Sequence, residues 1–153
     1  ICASSAALST SSSVATLPVT MKCVQENIGV SERTTSFVLP IGATVNMDGT
    51  SLYQAVAVVA LAQFHMVDLS LVQQAVIVLT ATLASVGAAA IPSAGLVLMI
   101  IVLESVGLNP AWIALIFPID RILDMCRTVV NVTGDGTVSA LVAQSEGELQ
   151  PQA

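Results

Sequence analysis

The sequence predicts an all-α membrane protein: two re-entrant helical hairpins and two broken transmembrane helices in an inverted-repeat core. Composition is the first reason. Residues are 55% apolar and 9% charged, with a mean hydropathy of +0.89, whereas soluble domains carry about a quarter charged residues. The second reason is that the apolar stretches are each shorter than the roughly 20 residues a bilayer crossing needs. Serine- and glycine-rich breaks separate them. The third is order: tip, broken helix, tip, broken helix, the duplication expected of transporter inverted repeats.

The first element, residues 1–24, is a hairpin whose tip is Ser9 to Pro18, STSSSVATLP, between apolar flanks. In polar sequence such a serine run reads as a linker; the apolar flanks argue for a tip. The second, residues 36–66, joins FVLPIGATV to LYQAVAVVALAQFHM through NMDGT and makes one interrupted span. The third, residues 69–106, is a second hairpin broken at Pro92 and resumed as AGLVLMIIVL. The fourth, residues 110–145, is a helix running from about Trp112 to Val142, with irregularities expected at Pro118 and NVTGDG. A tail, residues 146–153, follows. The chain opens at Ile1 with no readable signal peptide, and it reads as a piece of something longer. Lys22 and Arg33 lie between the first tip and the first broken helix, and the loops near Val67 and Gly107 hold no Lys or Arg. The positive-inside rule therefore places residues 22–35 and the C-terminus in the cytoplasm.

Charge removes several functions. Ten carboxylates face only Lys22, Arg33, Arg121 and Arg127, for a net charge of −6, and so sparse a basic set excludes nucleic acid as partner. Cys2, Cys23 and Cys126 are odd in number without C-x-x-C spacing, so they read as small buried hydrophobes, neither a disulfide framework nor a zinc site. A single histidine, His65, at a predicted outer helix end, leaves no Ser/His/Asp or Cys/His catalytic arrangement, and the chain is not expected to be an enzyme. Tyr53 and Trp112 read as packing or interface anchors, and Glu104 as a hydrated helix end.

Three constellations carry the chemistry. Asp124, Arg127, Thr128, Asn131 and Asp135 fall at i, i+3, i+4, i+7 and i+11, on one helix face, with Asp120 one turn earlier. Ionisable groups within an apolar span cost several kcal/mol unless they meet a polar interior, so the row marks a substrate or ion path. A solvated amphipathic helix with a structural ion pair is the alternative, and the apolar neighbours oppose it. Asn46-Met47-Asp48-Gly49-Thr50 lies between two apolar half-helices, where unwound carbonyls and the Asp48 carboxylate offer hard oxygen ligands to a cation. In a soluble protein it would be a capped helix start. Finally, half-helices beginning after Ser13 and near Pro92 aim positive dipole ends at a common anionic group, with Ser11, Ser12 and Ser13 as extra donors.

SSSVATLP, NMDGT, SVGAAAIPSAG and DMCRTVVNVTGD, in this order, resemble hairpin one, the seventh helix, hairpin two and the eighth helix of the glutamate/aspartate transporter family. The resemblance spans essentially the whole chain. NMDGT together with D-x-x-R-T-x-x-N-x-x-x-D is specific; the serine tip alone is weak. It implies sodium-coupled symport of aspartate or glutamate by an elevator movement of the transport domain, in a homotrimer of the cell membrane, with sodium ions cotransported and no organic cofactor. Proton-coupled glutamate or C4-dicarboxylate carriers and neutral amino-acid exchangers of the same family are the alternatives it leaves. A channel, or a ligand-free assembly module, are the readings outside it. By resemblance, Asp124 holds the substrate amino group and Arg127 its side-chain carboxylate. Thr128 and Asn131, with Ser12, Ser13, Thr50, Ile91 and Gly95, complete the pocket. Gly42, Asn46, Asn131 and Asp135 resemble one sodium site; Thr44, Met47, Ser85, Val86 and Ala88 a second; Asp48 with Asn46 part of a third. A planar guanidinium matches a carboxylate, and Asp124 demands an ammonium, so an acidic amino acid is favoured over succinate-like diacids. The chain departs from the family at Ser11 and Met125, where a second arginine is usual, and it lacks the N-terminal scaffold helices that make the trimer.

Overall fold

A computed structural model describes residues 2–88 and 93–150. Among these, helices follow one another almost without pause: α1 (Cys2–Thr10), α2 (Ser13–Ile28), α3 (Glu32–Val45), α4 (Asp48–Phe64), α5 (Leu71–Val86), α6 (Ala94–Ser105), a 3₁₀ segment (Pro110–Leu115) and α7 (Asp120–Glu146). An isolated bridge, Val30 to Leu149, is the sole β-type pairing among the described residues. The all-helical class holds.

Local chemistry sets the boundaries. α2 starts where the Ser12 hydroxyl accepts the Ala15 amide, and it stops at Gly29, whose φ of 82° suits a residue without Cβ. Ser31 caps α3 in the same way through Thr34. At the start of α5, Ser70 and Gln73 form a reciprocal capping box. Between α3 and α4 the helix is interrupted at Asn46 and Met47, and the Asn46 backbone takes neither helical nor regular extended angles. α7 differs from expectation. It is continuous from Asp120 to Glu146, so NVTGDG is no irregularity, and the interruption falls earlier, between the 3₁₀ segment and Asp120. Gly134 and Gly136 both lie within this helix, and the missing side chain of Gly134 makes room for Asn46, whose Nδ2 a Cβ would meet at 2.7 Å.

Two apolar cores flank a polar seam. One gathers Val58, Leu61, Ile77, Ala81, Met99 and Leu103 from α4, α5 and α6; the other joins Val24, Leu39 and Ala143 of α2, α3 and α7 with Val30 of the α2–α3 connection. Between them α7 buries Asp120, Asp124, Arg127, Thr128, Asn131, Asp135 and Ser139. Outside, Phe37, Leu71, Leu83, Phe117 and Ile122 leave most of their surface exposed. Polar groups inside and large apolar side chains outside invert the usual arrangement of a water-soluble domain. No helix among the described residues is by itself long and apolar enough to cross a membrane.

The cysteines depart from the sequence reading. Cys2 and Cys23 are joined in a disulfide between α1 and α2, and Cys126 is a free, exposed thiol. A separation of 21 residues gave no pairing signal; only the antiparallel packing of α1 on α2 brings the two together. His65 ends α4, donates from Nδ1 to the Leu61 carbonyl at 2.9 Å, and stacks on Trp112 with ring centroids 3.8 Å apart.

The tail is fastened to the start of α3. Glu148 accepts the Ser31 and Thr34 hydroxyls at 2.6 Å each, and Arg33 lies 3.4 Å away. Backbone bonds from Ser31 to Glu148 and from Gln150 to Gly29 reinforce this. The two hydroxyls, and then Arg33, hold the Glu148 carboxyl below the usual glutamate range. The bonded form is the carboxylate, so the clamp is complete at neutral pH and is lost as pH falls through that lowered value. In Glu148→Gln the Ser31 and Gln150 amides are expected to exchange with solvent several-fold faster than in the parent at neutral pH. The difference should vanish on acidification, as read by hydrogen exchange.

Candidate functional site

The site is built on α7, whose buried face meets the N-terminal turn of α4 and the beginning of α6. Asp124 and Arg127 are one turn apart and form an ion pair at 2.5 Å, with side chains 1% and 3% exposed. Arg127 also donates from Nη1 to the Thr50 hydroxyl at 3.3 Å. Its Nε–H is buried without a partner among the described residues. A charged donor left open in this way is rare in a protein interior and calls for an acceptor. Gly95 lies against the guanidinium, since a Cβ there would stand 3.3 Å from Nη1.

Asn131 holds α4 in register. Its Oδ1 accepts the Gly49 amide at 2.7 Å, and its Nδ2 reaches the Thr50 hydroxyl and the Met47 sulfur, both at 3.3 Å. Gly49 allows this approach, because a Cβ would run into the Arg127 carbonyl oxygen. One turn further, Asp135 accepts Asn46 Nδ2 at 3.0 Å. A Cβ at Gly42 would lie 2.6 Å from Asp135 Oδ1, and one at Gly134 would lie 2.7 Å from Asn46 Nδ2 and 3.3 Å from Asp48 Oδ2. Three glycines thus bring the oxygens of Asp135, Asp48 and Asn131 close to the interruption between α3 and α4. Hard oxygen ligands of this kind are what an alkali cation prefers.

The fold therefore gathers Thr50, Gly95, Asp124, Arg127 and Asn131 into one cluster, and Gly42, Asn46, Asp48 and Asp135 into an adjoining one. Thr128 is buried on the same face, its hydroxyl returned to the Asp124 carbonyl at 2.9 Å. Ser12 and Ser13 are buried at the α1–α2 junction, on elements that pack against α7. The remaining group is less unified. Met47, Ser85 and Ala88 are buried, but Val86 is exposed, and Thr44 is exposed with its hydroxyl bonded to Ile41 of its own helix. Ile91 lies outside the described residues.

Three contributors escaped the sequence reading. Tyr53, read as an anchor, donates to Asp120 Oδ1 at 2.8 Å, and Ser93 donates its hydroxyl to Asp120 Oδ2 at 2.9 Å. The Ser93 amide donates to Asp124 Oδ2 at 3.2 Å. Gln54, fully buried, donates to the Gly95 carbonyl at 3.1 Å. A signal existed: Thr50, Tyr53 and Gln54 stand at i, i+3 and i+4 in an otherwise apolar helix.

Comparison with known proteins follows the same outline. Residues 1–145 match the sodium:dicarboxylate symporter family. The chain is 54% identical over 136 residues to an excitatory amino acid transporter of Caenorhabditis elegans, covering 89% of this chain and 27% of that protein. It is 54% identical over 147 residues to excitatory amino acid transporter 4 of Mus musculus, covering 94% and 26%. For excitatory amino acid transporter 2 of Homo sapiens the figures are 54% over 136 residues, 89% and 24%. The chain spans about a quarter of the length of these relatives.

Proposed function

This chain belongs to the sodium:dicarboxylate symporter family, and from that membership we propose that it forms the substrate-binding part of a sodium-coupled carrier of aspartate or glutamate. The family and the relatives are transporters, not enzymes. The observation that carries the substrate class is the buried Asp124–Arg127 pair with its unpartnered Nε–H. A guanidinium with a free edge recognises a carboxylate through parallel N–H bonds, and the adjacent Asp124 selects a guest that also bears an ammonium. Thr50, Thr128, Asn131, Gly95 and Ile91 frame that guest, with Ser12 and Ser13 of the first tip. The relatives, named as excitatory amino acid transporters, support the same class.

Charge balance supports cotransported cations. Among the described residues the buried ionisable side chains are Asp120, Asp124, Asp135 and Arg127, three carboxylates against one guanidinium. Two negative charges are left to be compensated in a low-dielectric interior, where an unpaired ion is costly. Sodium beside Asp135, Asn46, Asn131 and Gly42, beside Asp48 and Asn46, and near Thr44, Met47, Ser85, Val86 and Ala88 would provide that compensation. α1–α2 and α5–α6 are the two re-entrant hairpins in this reading, and α3–α4 and the 3₁₀ segment with α7 are the two broken crossings. Residues 22–35, the end of α2 and the start of α3, face the cytoplasm together with the C-terminus. The remaining length of the protein supplies the scaffold of a homotrimer, against which this part moves as an elevator.

Calorimetric titration of aspartate, glutamate, serine and succinate into the full-length protein tests the reading. Aspartate and glutamate should bind, serine and succinate far more weakly. The logarithm of aspartate affinity should rise with the logarithm of sodium concentration, each ion taken up together with the substrate adding to the slope. A response to pH with none to sodium would move the protein to a proton-coupled mechanism.

A further inference from the structure

Asp120 is buried, 4% exposed, and has no role in the substrate or cation sites above. Both its oxygens are nevertheless engaged by other elements: Oδ1 by the Tyr53 hydroxyl of α4, Oδ2 by the Ser93 hydroxyl just before α6. Ser93 in turn reaches the next carboxylate along α7, donating its amide to Asp124 Oδ2, while Asp124 Oδ1 holds Arg127. A single residue thus bridges two carboxylates one helical turn apart.

Ser93 is held in an unusual state. Its φ of 61° lies in the left-handed region that disfavours side chains. It stands at the N-cap of α6, yet its hydroxyl makes no capping bond to that helix. A serine at this position ordinarily turns its oxygen to the free amides of the first turn and stabilises the helix. Here that contribution is given up for a bond to Asp120. Strain and a forgone cap at one residue indicate a conformation selected for what it positions.

We propose that Asp120 is a positioning residue for substrate binding. With Tyr53 as its brace, it fixes Ser93, and through the Ser93 amide it fixes the rotamer of Asp124 that receives the substrate ammonium. This rests on the assignment of Asp124 to that ammonium. Asp120 touches no substrate atom; it sets affinity by keeping Asp124 oriented and the start of α6 beside Arg127, where Gly95 sits.

The test uses the full-length protein with sodium, aspartate as the titrant, and a thermal-shift assay with sodium alone as the second readout. In Asp120→Asn the oxygen still accepts from Tyr53, while Nδ2 replaces the oxygen that accepted from Ser93, so the serine hydroxyl can only receive a bond there and the bond it donates is lost. Ser93→Ala and Ser93→Gly remove the hydroxyl, and the glycine also relieves the backbone strain. Each variant should bind aspartate about ten- to a hundredfold more weakly, while sodium alone still stabilises the two Ser93 variants as it does the parent. The double variant Asp120→Asn/Ser93→Ala should lose no more than either single one, because all three remove one bond. Unchanged aspartate affinity in Ser93→Ala and Ser93→Gly would overturn the proposal, as would fully additive losses in the double variant. Should Asp120→Asn fail to fold, the two Ser93 variants decide alone. If the parent protein itself binds no aspartate, the functional assignment fails, a result distinct from parent binding that the variants leave intact.

Discussion

Replacing Arg127 by alanine is expected to abolish binding of acidic amino acids by the full-length protein. The guanidinium is buried, paired with Asp124 at 2.5 Å and bonded to Thr50, and removing one member of a buried, hydrogen-bonded charge pair costs about 2–5 kcal/mol. Affinity for aspartate should therefore fall by roughly thirty- to several-thousand-fold. The loss has two parts. The substrate carboxylate loses its partner, and Asp124 loses the cation that compensates it in a site already rich in carboxylates. A neutral amino acid still offers an ammonium to Asp124, so serine is expected to lose less affinity than aspartate. Parallel titrations of the two ligands check this; equal affinity of parent and variant for aspartate would refute the role given to Arg127.

The second large effect is expected from Gly49→Ala. The new methyl group would overlap the Arg127 carbonyl oxygen, a backbone atom inside a continuous helix, so no side-chain rotation relieves it. Overpacking at such a position costs on the order of 1–3 kcal/mol or more, through separation of α4 from α7. That separation breaks the Asn131–Gly49 bond and loosens both clusters at once. The expected outcome is a lower unfolding temperature together with weaker sodium and aspartate binding. Ala at Gly107 is the control, because a Cβ there meets nothing within 4 Å. Its φ of 75° confines the cost to local strain in a loop, away from the site.

Much of this site was legible in the sequence because its signal is periodic. Asp124, Arg127, Asn131 and Asp135 repeat at helical spacing in an apolar chain, and the fold buries them all. What escaped has physical reasons. NVTGDG looked like a break because glycine lowers helix propensity, but in α7 Gly134 is where Asn46 and Asp48 approach the helix. Propensity registers the lost Cβ and not the neighbour that occupies its space. Ser93 carried no pattern of its own, since its role depends on a backbone angle and on two carboxylates some thirty residues away in the chain. Tyr53 was assigned by residue type, whereas its hydroxyl acts through Asp120. The disulfide between Cys2 and Cys23 likewise follows from the pairing of two helices and from no local motif.

The unbroken course of α7 has a mechanical consequence. Asp124 and Asp135 are eleven residues apart on one uninterrupted rod, about 16 Å along its axis. A rod of this kind keeps that interval whichever way it is displaced, so under the proposed function a guest at Asp124 and an ion at Asp135 would travel together without any hinge between the berths. Communication between them then runs sideways, through the foot of α4, where Asn131 grips Gly49 and Thr50 touches Arg127.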